Sequence, residues 1–235
     1  MVNYMFEYLQ HLWEQIQWQP DLADILYLLV LIGWFAWIWP QWDWQQLLAD
    51  KSLQWRALFC TLAINGLWLL NASVTEGIHV HFLALVTLML MFGWRLASIL
   101  MLLPVSFFCL FVYHQPWVLG PMMLFGVCLP LLLALTVHSL SYHKLPKHLF
   151  VFIFVAGFFN AGLSVVSHIL AWAVYLWFDM DYGAAYLVDN YLLLIPLLGF
   201  PEALLNGMAV TLLVVYRPEW LYDYSDRVYL WRQKR

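Results

Sequence analysis

Long uncharged apolar stretches dominate the chain and predict membrane-spanning helices. A helix needs roughly 20 mostly apolar residues to cross a bilayer, and each stretch is long enough for one or two crossings. They cover residues 25–42, 57–75, 77–94, 96–143, 148–178 and, interrupted only by Glu202, 190–216. The pattern therefore predicts an all-α, polytopic transmembrane helical bundle.

Polar and turn-forming residues divide these stretches into about seven predicted spans. The spans are expected at residues 22–39, 57–72, 79–93, 96–113, 122–140, 149–178 and 190–216. Before them, in residues 1–21, apolar side chains recur at helical spacing, which predicts an extracytoplasmic amphipathic segment. Residues 22–216 form the transmembrane helical domain, and residues 217–235 form a basic cytoplasmic tail.

The basic residues predict the orientation of the bundle. With seven spans and the basic tail in the cytoplasm, all 10 Lys and Arg residues fall on the cytoplasmic side. The prediction is therefore N-out and C-in. It places five histidines and one carboxylate in the outer half of the protein: His11, His79, His81, His114, His168 and Glu76.

Composition excludes several classes of protein. The chain is 65% hydrophobic and 10% charged, so its apolar surface could not be covered in water. No basic tract indicates nucleic-acid binding. No P-loop is present, and no nucleophile and base stand at catalytic spacing, so we predict neither an ATPase nor another enzyme. The 3 cysteines lie in separate spans and predict no disulfide.

Two histidines and a carboxylate gather at the mouth of the third predicted span. The segment runs Glu76-Gly77-Ile78-His79-Val80-His81. Residues two apart share a face only in an extended segment, so both rings could bind one ion if the helix begins at or after His81. Imidazole suits divalent Zn, Cu, Ni and Co, and Glu76 could add an oxygen ligand. The alternative is a pair of interfacial histidines hydrogen-bonded to water.

Glu202 is the one formally charged residue well inside a predicted span, which makes it a candidate for coupling. It shares a helical face with Asn206. Alternatively, Glu202 is protonated, or hydrogen-bonded to a neighbour such as Asn160 or Asn65, and simply locks helices together. Asn160, Ser164 and His168 form a polar stripe at i, i+4 and i+8 that we expect to face the bundle interior.

Three motifs resemble those of a known transporter family. They are His81-Phe82-Leu83-Ala84, the turn Phe92-Gly93-Trp94-Arg95, and Pro201-Glu202-Ala203-Leu204-Leu205-Asn206-Gly207 in the last span. Together they resemble the CbiM/NikM family, the substrate-specific membrane components of energy-coupling-factor cobalt and nickel transporters. The resemblance extends from about Gly77 to Pro218, and family members share a seven-helix, N-out layout.

The resemblance implies a function and a metal ligand. It implies a permease subunit of an energy-coupling-factor ABC-type transporter in the bacterial cytoplasmic (inner) membrane, with a divalent ion such as cobalt or nickel as substrate and no permanently bound cofactor. A transmembrane coupling subunit and ATPase subunits would supply energy. His81 would be the imidazole ligand.

The rest of the expected ligand set differs from the family pattern. Family members add ligands from a Met-His amino terminus, whereas this chain begins Met1-Val2. His79, Glu76 or His11 are the candidates to replace those ligands. Two alternative functions remain: a non-transporting membrane scaffold or regulatory subunit, and a proton-linked carrier centred on Glu202.

Overall fold

Helices make up most of the protein, as the apolar pattern predicts. A computed structural model describes residues 19–39, 44–75, 78–179 and 182–229. Its helices are α1 (Leu22–Ile38), α2 (Trp44–Ala49), α3 (Lys51–Leu69), α4 (Leu85–Leu100), α5 (Leu102–Phe111), α6 (Pro116–Lys144), α7 (Leu149–Phe178), α8 (Ala184–Tyr216) and α9 (Asp226–Tyr229). Most of the predicted amphipathic segment 1–21 lies outside the described residues.

A short antiparallel hairpin joins α3 to α4. Strand β1 (Ala72–Thr75) pairs with β2 (Ile78–Val80), with Ala72 opposite Val80 and Ser73 opposite His79. The sequence analysis did not predict this hairpin, because the prediction started a helix at His79. The chain is instead extended through His79 and turns into α4 only at Leu85.

Three helices in the described residues, α6, α7 and α8, are each long and apolar enough to cross a membrane. The bent pair α4 and α5, with 42° between its two parts, could count as a fourth span. Many large apolar side chains on the outside of the bundle are exposed, as expected of a surface that faces lipid. The all-α membrane fold is therefore confirmed, and the count of seven spans stays a prediction.

Several predicted helix ends agree closely with the structure. Helix α1 begins at Leu22 as expected, α7 occupies the predicted residues 149–178, and α8 ends at Tyr216 before Arg217. Other ends differ: α6 begins at Pro116 and α8 at Ala184, each about one to two turns earlier than predicted. The loop between α7 and α8 is correspondingly shorter than predicted.

Small residues allow α7 and α8 to pack closely. A Cβ added at Gly207 would lie 3.1 Å from Cδ2 of Phe158, and a Cβ at Gly162 would lie 3.6 Å from the Ala203 side chain. The small residues Ala203 and Gly207 thus let α8 pack closely against α7 of the same chain.

Helix α4 lies at the centre of the bundle. Nearly all side chains of its first two turns are buried, as expected of a helix that is apolar on every side. The segment after α8 returns to this helix: the Tyr222 N–H donates to the Leu90 carbonyl at 2.8 Å. The tail segment, defined here as residues 217–229, therefore packs on the bundle through the buried side chains of Leu221, Tyr224 and Tyr229.

Candidate functional site

The site is built on the loop of residues 81–84, which leads from the hairpin into α4. Because α4 begins at Leu85, His79 and His81 stand in a non-helical segment. This is the backbone condition under which the sequence analysis allowed both rings to serve one ion. His81 is 5% exposed, so the loop places an imidazole in the protein interior rather than at its surface.

Two side chains of α8 cap the first turn of α4. Both Glu202 oxygens accept backbone hydrogen bonds, Oε2 from the Leu83 N–H at 2.9 Å and Oε1 from the Ala84 N–H at 2.7 Å. Asn206 Oδ1 accepts from the Thr87 N–H at 3.0 Å and from its hydroxyl at 2.8 Å. A helix leaves its first N–H groups without partners in its own backbone, and here another helix supplies the acceptors.

Glu202 also holds an unfavourable backbone conformation in place. Ala84 has φ of 52° and ψ of 17°, in the left-handed region, which costs a residue with a side chain about 1–2 kcal/mol. Asn206 Nδ2 donates to Glu202 Oε1 at 2.8 Å and so orients the carboxylate. We call this arrangement of Glu202 and Asn206 on residues 83–87 the α8 clamp.

The clamp corrects one sequence-based expectation. Neither Asn160 nor Asn65 bonds to Glu202; Asn160 Nδ2 donates to the Ala134 and Ala156 carbonyls, and Asn65 Nδ2 donates to the Thr61 carbonyl. Glu202 therefore makes hydrogen bonds within the bundle as expected, but the two expected partners were wrong. The true partners are Asn206 and backbone N–H groups 118 and 119 residues away.

Aromatic rings fix the orientation of His81. The Trp68 ring lies against it with centroids 3.9 Å apart, and the Phe108 ring meets it at 5.1 Å. Nδ1 of His81 lies 3.2 Å from the Phe82 carbonyl oxygen. Nε2 is buried and has no hydrogen-bond partner among the described residues. An orphaned buried polar atom costs about 1–3 kcal/mol, so it calls for a ligand.

His79 lies nearer the surface, beside a cleft. Its Nδ1 is 3.3 Å from Asn71 Oδ1, and its ring meets those of Tyr113 and Phe108 edge-on. Partial burial lowers the pKa of the His79 imidazole, which favours the neutral ring that binds metals. The cleft has a volume of about 170 Å³, and its lining includes His79, Tyr113, Gln115, Trp172 and Tyr175.

The structure brings together some candidate residues and not others. Glu76 and His11 lie outside the described residues. Among the residues that are described, no group of three or more His, Cys, Asp or Glu side chains is arranged to hold a metal ion. The polar stripe of α7 is buried as predicted, and its last member, His168, lies against His81 with ring centroids 5.8 Å apart.

Sequence reasoning did not connect His168 to His81. The stripe of Asn160, Ser164 and His168 was the available signal, because a polar face inside a membrane helix needs a partner. The stripe does not show which segment of the chain supplies that partner, because His81 precedes His168 by 87 positions.

A family match identifies the kind of protein that this site belongs to. The family described as the cobalt uptake substrate-specific transmembrane region, CbiM, matches residues 20–220. The chain belongs to this family. That match includes the loop of residues 81–84, the α8 clamp and most of the described bundle. No curated protein matches the chain.

Solved structures support the same fold for this CbiM-family protein. One, described as a truncated transition metal transporter, superposes with a TM-score of 0.69 at 14% identity and covers 82% of this chain and 94% of its own. Another, described as a transition metal transporter, gives a TM-score of 0.67 at 14% identity, with 82% and 88% covered. These structures support the fold, and the family match makes the chain a membrane component of metal uptake, as the sequence motifs implied.

Proposed function

We propose that this CbiM-family chain is the substrate-binding subunit of an energy-coupling-factor-type transporter for cobalt or nickel. His81 is the central imidazole ligand, and His79 and Glu76 are candidate ligands on the outer side. The observation that carries the proposal is the buried Nε2 of His81, which has no partner among the described residues. The ring packs against Trp68 and stands in the loop that the α8 clamp holds through Leu83 and Ala84.

The chemistry of the ring fits a divalent transition metal. A backbone carbonyl can only accept a hydrogen bond, so the contact from His81 Nδ1 to the Phe82 carbonyl assigns the ring proton to Nδ1. Nε2 then carries the lone pair. Ligating histidines commonly use this arrangement, in which the second nitrogen donates to a carbonyl and fixes the ring. Imidazole nitrogen suits Co and Ni in their divalent states.

The proposal includes the membrane arrangement and the partners. Seven spans with the amino terminus outside place the hairpin and His79 towards the extracytoplasmic face of a bacterial inner membrane. Residues 1–21 would lie outside, residues 22–216 in the membrane, and residues 217–235 in the cytoplasm. ATPase subunits and a transmembrane coupling subunit would drive release, because the sequence carries no P-loop. The chain itself is proposed to be a binding subunit and not an enzyme.

Metal binding by the purified full chain tests the site. Wild-type protein in lipid nanodiscs is expected to bind Co²⁺ or Ni²⁺, and His81→Ala to bind neither, by elemental analysis after removal of free ion. His143→Ala is the matched control, because His143 is exposed and its Nδ1 also bonds to a backbone carbonyl. Equal metal content in wild type and His81→Ala would contradict the proposal.

Metal uptake by cells separates transport from the alternative of a scaffold. Cells that express the chain with its ATPase and coupling partners are expected to accumulate the ion, and cells that lack those partners to accumulate less. Accumulation that His81→Ala leaves unchanged would favour the non-transporting scaffold. Comparison of cobalt with nickel in the same cells identifies the transported ion.

A further inference from the structure

A second buried imidazole faces His81 across the bundle. His168 on α7 is 7% exposed, and its ring lies 5.8 Å from that of His81 between centroids, at an interplanar angle of 60°. We propose that His168 is a metal ligand and that it binds the same ion as His81, through Nε2 of each ring. This proposal rests on the proposed function, and it adds a residue that neither the motifs nor the family match assigns.

The hydrogen bond of His168 leaves Nε2 available as a ligand. Nδ1 of His168 lies 3.1 Å from the Gly126 carbonyl oxygen on α6. Because that oxygen can only accept, the ring proton lies on Nδ1 and the lone pair on Nε2. His81 has the same arrangement with the Phe82 carbonyl. Two neighbouring neutral rings thus share the tautomer that metal-binding histidines use.

The separation of the two rings fits one ion between them. With metal–nitrogen distances near 2.0–2.1 Å, two imidazoles on one ion place their centroids about 4.5 Å apart at a right angle and about 6.4 Å apart in a straight line. The observed 5.8 Å falls inside this interval. The separation of the ring centroids is therefore compatible with one ion bound by both imidazoles.

The position of His168 is also fixed by the local structure of α6. Gly126 lies within a π-helical segment, Leu124–Cys128, and such segments frequently occur at functional sites. A Cβ at position 126 would lie 3.5 Å from Cε1 of His168, an ordinary van der Waals contact, so the ring packs directly against this part of α6. The Gly126 carbonyl supplies the acceptor that orients the His168 ring.

The cleft beside His79 places an entry point near this pair. Phe108 contacts both His79 and His81, with centroids 6.0 and 5.1 Å away. An ion that arrives at His79 would pass the Phe108 ring to reach His81 and His168. We therefore assign His79 to an outer position and the His81–His168 pair to an inner one. The ligand class is a divalent transition metal that accepts imidazole nitrogen, namely Co, Ni, Cu or Zn.

Binding and spectroscopy on the full chain in nanodiscs test the inner pair. Co²⁺ is the probe for affinity. We expect His168→Ala to weaken Co²⁺ binding by about 10-fold or more, since the loss of even an outer-shell partner costs about 10–100-fold. Cu²⁺ is the spectroscopic probe, because pulsed electron paramagnetic resonance counts the imidazoles bound to it. The wild-type count is expected to be at least two and to fall by one in His168→Ala.

Matched variants separate ligation from folding. His143→Ala should change neither the affinity nor the imidazole count, because His143 is exposed and bonds to Ser139. If His168→Ala does not fold, His168→Asn replaces it: Nδ2 of asparagine corresponds in position to Nδ1 of histidine, so it keeps an N–H donor for the Gly126 carbonyl but brings no imidazole. The same two measurements on His168→Asn then decide the proposal.

The outcomes distinguish this proposal from the proposed function. If wild type binds Co²⁺, His81→Ala loses it, and the His168 variant keeps both the affinity within twofold and the imidazole count, His168 is not a ligand and the proposed function stands. If wild type binds neither Co²⁺ nor Cu²⁺, both proposals fail. If the His168 variant binds Co²⁺ more weakly and its Cu²⁺ complex has one imidazole fewer than that of wild type, the inner pair is supported.

Discussion

Ala84, just before α4, and Gly93, within α4, both have positive φ, and their backbone conformations are stabilised in different ways. Ala84 has φ of 52° and is held by the α8 clamp. Gly93 has φ of 74°, which glycine adopts readily because it has no Cβ. Near Gly93 the tail segment packs on the helix, with the Tyr222 N–H bonded to the Leu90 carbonyl. The turn at Ala84, next to His81, therefore depends on polar contacts from a distant helix. The turn at Gly93 depends on the residue type itself.

This difference has a consequence for the metal site. A turn fixed by glycine is determined locally, but the turn at Ala84 is formed only when α8 is in place. Any movement of α8 relative to α4 would change the contacts of Glu202 with residues 83 and 84, which lie in the same loop as His81. The α8 clamp thus couples the position of His81 to helix packing, and substitutions at the two turns should have different effects.

Loss of the clamp carboxylate is expected to have the largest effect. Glu202→Ala leaves the N–H groups of Leu83 and Ala84 without acceptors, and each buried orphan costs about 1–3 kcal/mol. We expect a free energy of unfolding about 3 kcal/mol lower, together with weaker Co²⁺ binding. Thermal or denaturant unfolding of the purified chain measures the first effect, and a Co²⁺ titration measures the second.

A conservative variant at the same position tests the proton-carrier alternative. Glu202→Gln keeps one acceptor oxygen but turns an NH₂ group towards one of the two N–H donors, so it should destabilise the protein less than Glu202→Ala does. Unfolding and Co²⁺ binding equal to wild type in Glu202→Gln, combined with complete loss of uptake, would favour a proton-linked carrier over a structural clamp.

Substitution of Gly93 should have an intermediate effect on the free energy of unfolding. Gly93 has φ of 74° and ψ of 157°, a conformation reserved almost entirely for glycine, so Gly93→Ala should lower the free energy of unfolding by about 1–3 kcal/mol. The nearest atoms to an added Cβ are 3.7 Å away in Tyr222, so the loss would come from the backbone rather than from a clash.

The control for Gly93→Ala is a glycine in a regular helix. Gly66 lies within α3, and a Cβ there would meet nothing within 4 Å. Gly66→Ala should therefore raise the free energy of unfolding by about 0.4–1 kcal/mol. If the two substitutions changed stability in the same direction, the left-handed turn at Gly93 would not be what distinguishes the two positions.

Relief of backbone strain at Ala84 should change the free energy of unfolding less, and should raise it. Ala84→Gly removes the left-handed penalty of about 1–2 kcal/mol, and the greater freedom of glycine in the unfolded chain offsets about 0.5–1 kcal/mol of that gain. We expect a net stabilisation of about 0.5–1 kcal/mol in denaturant unfolding. In contrast, Ala63→Gly within α3 should destabilise by about 1 kcal/mol. A loss of stability in Ala84→Gly would contradict strain at this turn.

The sequence was sufficient to predict the elements that depend on local pattern. The apolar run of α7 and the end of α8 at Tyr216 follow from hydropathy and from the charged and proline residues that bound them. The burial of the polar stripe ending at His168 also followed from helical spacing. In each case, the signal lies within one continuous segment.

The remaining features depend on contacts between distant segments. The start of α4 at Leu85 rather than His79 is set by acceptors on α8, which follow 118 and 119 residues later. The approach of His168 to His81 depends likewise on how α6 and α7 pack around the loop. A single sequence shows that Glu202 and His168 need partners inside a membrane, but it does not show which segments provide them.

The contact between His138 and Asp223 in the tail segment should contribute least to stability. Comparing it with the α8 clamp tests whether burial is what makes the clamp important. His138 Nε2 lies 3.2 Å from Asp223 Oδ2, but the Asp223 side chain is 50% exposed. Exposed ion pairs contribute about 0–1 kcal/mol, so Asp223→Asn should change the free energy of unfolding by less than about 1 kcal/mol and leave Co²⁺ binding unaltered. Glu219→Gln, in the exposed pair with Arg217, is the matched control. If Asp223→Asn lowered the free energy of unfolding as much as Glu202→Ala does, exposure to solvent would not be what makes the tail contact weaker than the α8 clamp.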